Sequence, residues 1–166
     1  MHDYDADKMI SDEYADNPIW ETIYRTYFPD YASMASVGPN SWGQKSGIDR
    51  VIILQSGKTV NVEEKVRYVD RDDIFLETVS VVEKNVPGWI SKPAATDYLC
   101  YHFQPSKRTY MFPFLALRRT WSVGEPFWSR TYGIRTVENK NYHSQGICVP
   151  IDIMKIALGR CIEVTI

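Results

Sequence analysis

Residues Gly47 to Arg67 read GIDRVIILQSGKTVNVEEKVR, and the fold of the chain turns on this stretch. Val51-Ile52-Ile53-Leu54 is a short β-branched run bounded by turn residues, the mark of a buried strand. Ser56-Gly57-Lys58 then turns the chain. The next run alternates, with Val60, Val62 and Val66 on one side of a period-2 pattern and Asn61, Glu63, Lys65 and Arg67 on the other. Two strands joined by a glycine-bearing turn make a hairpin, which carries Asp49 back towards Glu63 across fourteen positions of sequence. Glu64 interrupts the valine face, so either that face is partly exposed or Glu64 has a partner.

Two carboxylates converging in an apolar setting repel each other, and a divalent cation relieves the repulsion. Magnesium suits such a pair, because it takes one or two protein carboxylates and leaves its other positions to water and phosphate. Lys65, two residues beyond Glu63 on the same face, is placed to orient or activate a water beside the metal. The chemistry expected of the set is phosphodiester hydrolysis. The other reading of these residues is a solvated charged hairpin face.

Asp49 followed by Glu63-Glu64-Lys65 on the next strand resembles the PD-(D/E)XK nuclease superfamily, the restriction-endonuclease-like fold, with Ile48 where the family name has proline. The resemblance implies a magnesium- or manganese-dependent endonuclease cutting DNA by in-line attack of a metal-bound water. In it Asp49 and Glu63 hold the metal and Lys65 serves the water. Glu77, in the strand-like run Ile74-Phe75-Leu76-Glu77-Thr78-Val79-Ser80-Val81-Val82, resembles the Ile-Leu-x-Glu-type strand that follows E-x-K in some phage and bacterial members, and the resemblance adds it as a metal-site candidate. Its alternative is an ion pair with Lys65 or an arginine. The Trp89 loop leading to Asp97-Tyr98 extends the likeness. An alternative function is a catalytically inactive, nuclease-fold accessory or regulatory protein that binds a protein partner.

At 166 residues, 44% hydrophobic and 24% charged, the chain has the make-up of one soluble globular domain able to bury a core without disulfides. The expected fold class is α/β, with one mixed central sheet of about four to six strands flanked by helices over residues 17–166. Cys100, Cys148 and Cys161 are odd in number and lack C-x-x-C spacing, which argues against a disulfide framework or zinc site and for a reducing cytoplasm. No apolar run approaches 18 residues, and a membrane partner is not expected.

The net charge of −2 opposes a nucleic-acid partner. Its distribution softens this: residues 1–16 hold six acids and one lysine, leaving 18 basic and 15 acidic groups in residues 17–166. DNA binding of modest affinity and strong salt dependence is the expectation, with pairing of two copies left open. Lys45, Arg67, Lys107, Arg108, Arg118 and Arg119 are the candidate phosphate contacts, with Trp121, Trp128 and Tyr132 as stacking surfaces for unpaired bases. The other reading of these charges is that they only solubilise the chain, Lys45 as a solvated loop residue among them.

The acidic leader, residues 1–16, reads as a mobile tail or loosely packed helix. Asn17 and Pro18 open a helix that buries Trp20, Ile23, Tyr24 and Tyr27, with Glu21 and Arg25 spaced as a helical ion pair. Residues 30–47 read as a loop and His102 as a core histidine. Phe114–Trp121 reads as a helix, Ile147–Pro150 as a short edge strand, and Asp152 as the cap of a closing helix that stops at Gly159.

Overall fold

The computed structural model describes residues 16–39 and 41–162, the side chains of 160–162 excepted, so the leader up to residue 15 and the thiol of Cys161 lie outside it. In chain order the helices are α1 (Ile19–Tyr27), α2 (Trp42–Lys45), α3 (Phe114–Tyr132) and α4 (Ile151–Ile162). The strands are β1 (Tyr31–Ser36), β2 (Arg50–Leu54), β3 (Thr59–Arg67), β4 (Asp73–Val81), β5 (Val86–Pro87), β6 (Tyr98–Phe103), β7 (Arg108–Pro113), β8 (Arg135–Glu138) and β9 (His143–Pro150). The protein is α/β, as expected. Its strands are divided between two sheets rather than gathered in one, and the chain falls into two compact units, residues 16–70 with 93–114 and residues 71–92 with 115–162.

The first unit carries a mixed sheet in the order β1-β2-β3-β6-β7. The hairpin forms as its sequence dictates. Arg50 stands opposite Val62 and Ile52 opposite Val60, and the turn closes with Gly57 at φ +80, a conformation that glycine adopts without steric cost. β1 adds antiparallel to β2, whereas β6 adds parallel to β3, pairing Val62 with Tyr98 through Arg67 with Phe103. The loop expected over residues 30–47 is therefore partly strand: Tyr31-Ala-Ser-Met-Ala-Ser is polar enough to pass for a loop, but its tyrosine and methionine join the hydrophobic cluster.

Helix α1 covers one face of this sheet. Asn17 accepts the Ile19 N–H at 2.9 Å, which satisfies one of the donors a helix start leaves open. Trp20, Ile23 and Tyr24, at i, i+3 and i+4, are buried with Tyr31, Ile52, Val62 and Cys100. Tyr27 departs from the expected buried set: it is 42% exposed and donates its hydroxyl to the Thr109 carbonyl at 2.9 Å. Glu21 and Arg25 form the expected ion pair at 2.7 Å. His102 is a buried core histidine, with Nδ1 2.8 Å from the Thr109 hydroxyl and its ring against Trp20. Burial lowers its pKa.

The second unit carries an antiparallel sheet in the order β5-β4-β9-β8. β9 is an interior strand, not the edge strand that Pro150 suggested: the proline sits at its last residue, where losing one ladder donor costs little. Helix α3 runs on to Tyr132, past Gly124 and Pro126. A Cβ at Gly124 would meet the Trp128 ring at 2.8 Å, so the glycine is what lets the indole fold back over the preceding turn. Helix α4 likewise passes Gly159, and Asp152 lies in its first turn rather than at its cap. Among the described residues no helix is long and apolar enough to cross a membrane.

Candidate functional site

The hairpin register does bring Asp49 to Glu63. The Asp49 N–H donates to the Val62 carbonyl and its Oδ2 accepts the Glu64 N–H at 2.8 Å. β3 continues beyond the point where β2 begins, and the Asp49 carboxylate takes the place of the missing ladder acceptor there. Glu63 is buried, 3% exposed. One of its oxygens meets the Lys65 ammonium at 2.7 Å. The other, Oε2, has no hydrogen-bond partner, and a buried carboxylate oxygen left so is costly.

A small cradle surrounds that orphaned oxygen. Gly47 has φ +75, and a Cβ there would stand 3.2 Å from Glu63 Oε2, 3.1 Å from the Thr96 hydroxyl and 3.2 Å from the Ala94 side chain. The Thr96 hydroxyl donates to the Gly47 carbonyl, and the Ala95 N–H to the Ser46 carbonyl at 2.9 Å. The loop before β6 thus braces the approach to Asp49. Neither Gly47 nor Thr96 stands out in the sequence, because what they supply is absence of bulk and a backbone bond.

On the opposite face of β3 lies a second charged set. Arg50, directly after Asp49, grips Glu64 with Nε to Oε1 at 2.7 Å and Nη2 to Oε2 at 3.1 Å. Its Nη1 donates to the Ser36 hydroxyl at 2.9 Å, and the Tyr24 hydroxyl donates to Glu64 Oε1. Glu64 has its partner. Burial pushes the Glu64 carboxyl up, with Arg50 pulling the other way. For Arg50 burial opposes the charge, but the hydrogen bonds and charge of Glu64 more than offset it and the pKa rises. Burial, aided by the Glu64 charge, also raises Tyr24 well above its ordinary value. The requirement that an inward-facing glutamate be paired was the one sequence signal leading to Arg50.

The remaining candidates are scattered. Glu77 is half-buried on β4 of the second unit, opposite Gly146, so the set within the first unit is Asp49, Glu63 and Lys65. Lys45 is exposed at the end of α2 and Arg67 half-buried at the end of β3. Lys107 is exposed in the β6–β7 turn with φ +58. Arg108 lies over the Phe103 ring at 5.0 Å and reaches Asp70 and Ser106, which ties it into a local network. Arg118 and Arg119 belong to α3 in the second unit. Trp121 and Trp128 do not serve as stacking surfaces for bases: both are buried, ring against ring at 6.3 Å.

Among the described residues no group of three or more His, Cys, Asp or Glu side chains is arranged to hold a metal ion. Asp49 and Glu63 supply oxygen donors of the type a small hard cation takes, and Glu63 Oε2 is the one without a partner. No family model, curated protein or solved structure matches the chain.

Proposed function

We propose that the protein is a metal-dependent nuclease of the PD-(D/E)XK type, hydrolysing DNA with magnesium or manganese. The observation that carries this reading is Glu63: a carboxylate 3% exposed, one oxygen on Lys65 and the other without a partner, next in the chain to Val62, whose carbonyl accepts the Asp49 N–H just ahead of β2. Proteins rarely bury such an oxygen for stability alone. The meander β1-β2-β3 with a parallel strand added next to β3 agrees with the restriction-endonuclease-like fold expected from the motif.

Asp49 and Glu63 would hold the ion, which supplies charge neutralisation at the scissile phosphate and a more acidic water. Lys65 is 33% exposed, so its ammonium spans the buried carboxylate and the solvent where substrate arrives. It anchors Glu63, and with an ion held there it would orient or steady the attacking water. Arg50 and Glu64 hold β2 and β3 in register behind the site and act only through it.

The reading is tested by incubating duplex, single-stranded and four-way-junction DNA with the protein in magnesium or manganese, beside Lys65→Ala. Metal-dependent cutting lost in the variant is the expected result. No cutting on any substrate, with no metal binding by calorimetry, would overturn it in favour of an accessory protein of nuclease-like fold that binds a protein partner. One observation favours that second reading, namely that Asp49 already spends an oxygen on the Glu64 amide.

A further inference from the structure

Of the five tryptophans, Trp20, Trp89, Trp121 and Trp128 are buried, whereas Trp42 is 76% exposed. A large aromatic left in water is informative, because tryptophan is on average among the most buried side chains. Trp42 is not exposed for want of anchorage. The Ser41 hydroxyl accepts the Gln44 N–H at 3.2 Å, the Trp42 carbonyl accepts from Ser46 at 3.0 Å and the Gly43 carbonyl from Ile48 at 2.9 Å. Gly43 is seated so closely on Val37 that a Cβ would stand 2.8 Å from its methyl carbon. The turn is fixed and the indole is held out from it.

That turn runs directly into Gly47, whose α-carbon faces the orphaned oxygen of Glu63. Three residues beyond Trp42, one helical turn away, stands the exposed Lys45, and no acidic residue occurs between Ser36 and Asp49. An indole face beside an ammonium is the pairing that takes up a nucleobase and its phosphate. Bases inside a duplex offer no free face. We infer that Trp42, with Lys45, stacks an unpaired base next to the site, making single-stranded DNA or DNA with unpaired bases the preferred substrate class. This rests on the nuclease reading of Asp49, Glu63 and Lys65, and moves the stacking role from Trp121 and Trp128 to Trp42.

The test uses the full chain in calcium, to allow binding without cleavage, with a fluorescein-labelled oligothymidylate and a blunt duplex of equal length. Trp42→Ala should weaken single-strand affinity about tenfold, within the range set by stacking one base, with Trp42→Phe restoring most of it and duplex affinity unchanged. Acrylamide should quench Trp42 in the free protein, and the oligonucleotide should shield it. Equal affinity of Trp42→Ala and parent, equal loss on both DNAs, or no binding by the parent would each overturn the inference. So would an indole already shielded in the free protein at concentrations where two copies associate, which would mark a contact between copies. Failure of the nuclease reading shows separately, as absence of metal binding and of magnesium-dependent cutting in the parent.

Discussion

Strand β3 carries two glutamate–cation pairs, back to back, and both close at 2.7 Å. Arg50–Glu64 faces α1, its side chains 4% and 9% exposed, and Glu64 gives both oxygens to the guanidinium while one also takes the Tyr24 hydroxyl. Glu63–Lys65 faces the other way, with Lys65 33% exposed and one Glu63 oxygen unanswered. Equal distances therefore conceal different physics. The first pair is complete and changes nothing but the register of two strands; the second is incomplete in a way that a ligand can finish. Satisfaction of every lone pair, rather than the length of the bridge, separates a structural ion pair from a candidate site.

The widest separation between the two should come from Arg50→Met. It strands the Glu64 charge in the core and should cost about 3–5 kcal/mol in urea unfolding, and the double variant Arg50→Met/Glu64→Leu should recover most of that. A cost below about 1 kcal/mol for the single variant would put the two pairs on the same footing. Lys65→Ala should cost less stability and more turnover. It leaves the buried Glu63 carboxylate without its cation, but the pair is open to water on the lysine side, so the loss should be about 1–3 kcal/mol, while cleavage falls by about 10²–10⁴-fold. Lys65→Ala/Glu63→Gln should recover the stability and not the cleavage, and recovery of both would contradict the contrast.

Glu63→Gln sharpens the comparison further. Removing a desolvated charge should leave the metal-free protein as stable as the parent or more stable by about 1 kcal/mol, a rise in Tm of about 2–4 °C for a chain of this size. Magnesium should then raise the Tm of the parent alone, since a ligand stabilises only the state that binds it.

The smallest effect belongs to a pair outside both sets. In the second unit Glu83 accepts from the backbone and ring of His143, and these hydrogen bonds, the ring's first, lower its pKa to about 2. A depressed carboxylate contributes stability above its ordinary pKa of 4.5, lost as pH falls from there towards 2. The clasp is exposed and screened, so Glu83→Gln should lower the unfolding midpoint only slightly at neutral pH and not at all near pH 2, and an equal displacement at both pH values would overturn the linkage.

How much of this could be read in advance depends on range. The β2–β3 hairpin was legible because its period, its turn and the need of Glu64 for a partner are written within about twenty residues. The division of strands between two sheets was not, because Ile74–Val81 looks as strand-like beside β3 as it does beside β9. Burial of Trp121 and Trp128 was hidden by the Gly124-Glu125-Pro126 sequence, which reads as the end of a helix and in fact lies inside one. Asp49, Glu63 and Lys65 emerged from a motif and a period. Gly47, Thr96 and Trp42 did not, since their significance lies in what lies near them and how much water they see.

The parallel partnership of β3 and β6 has a consequence for how the molecule is made. Val62 and Tyr98 are neighbours in the sheet, yet the whole segment 71–92, which belongs to the other unit, is synthesised between them. When the hairpin leaves the ribosome, β3 has one open flank and cannot close it until β6 follows. The strand that carries Glu63 and Lys65 is thus finished late, by a long-range pairing of the kind that slows folding. Whatever the hairpin can do chemically waits on the arrival of β6.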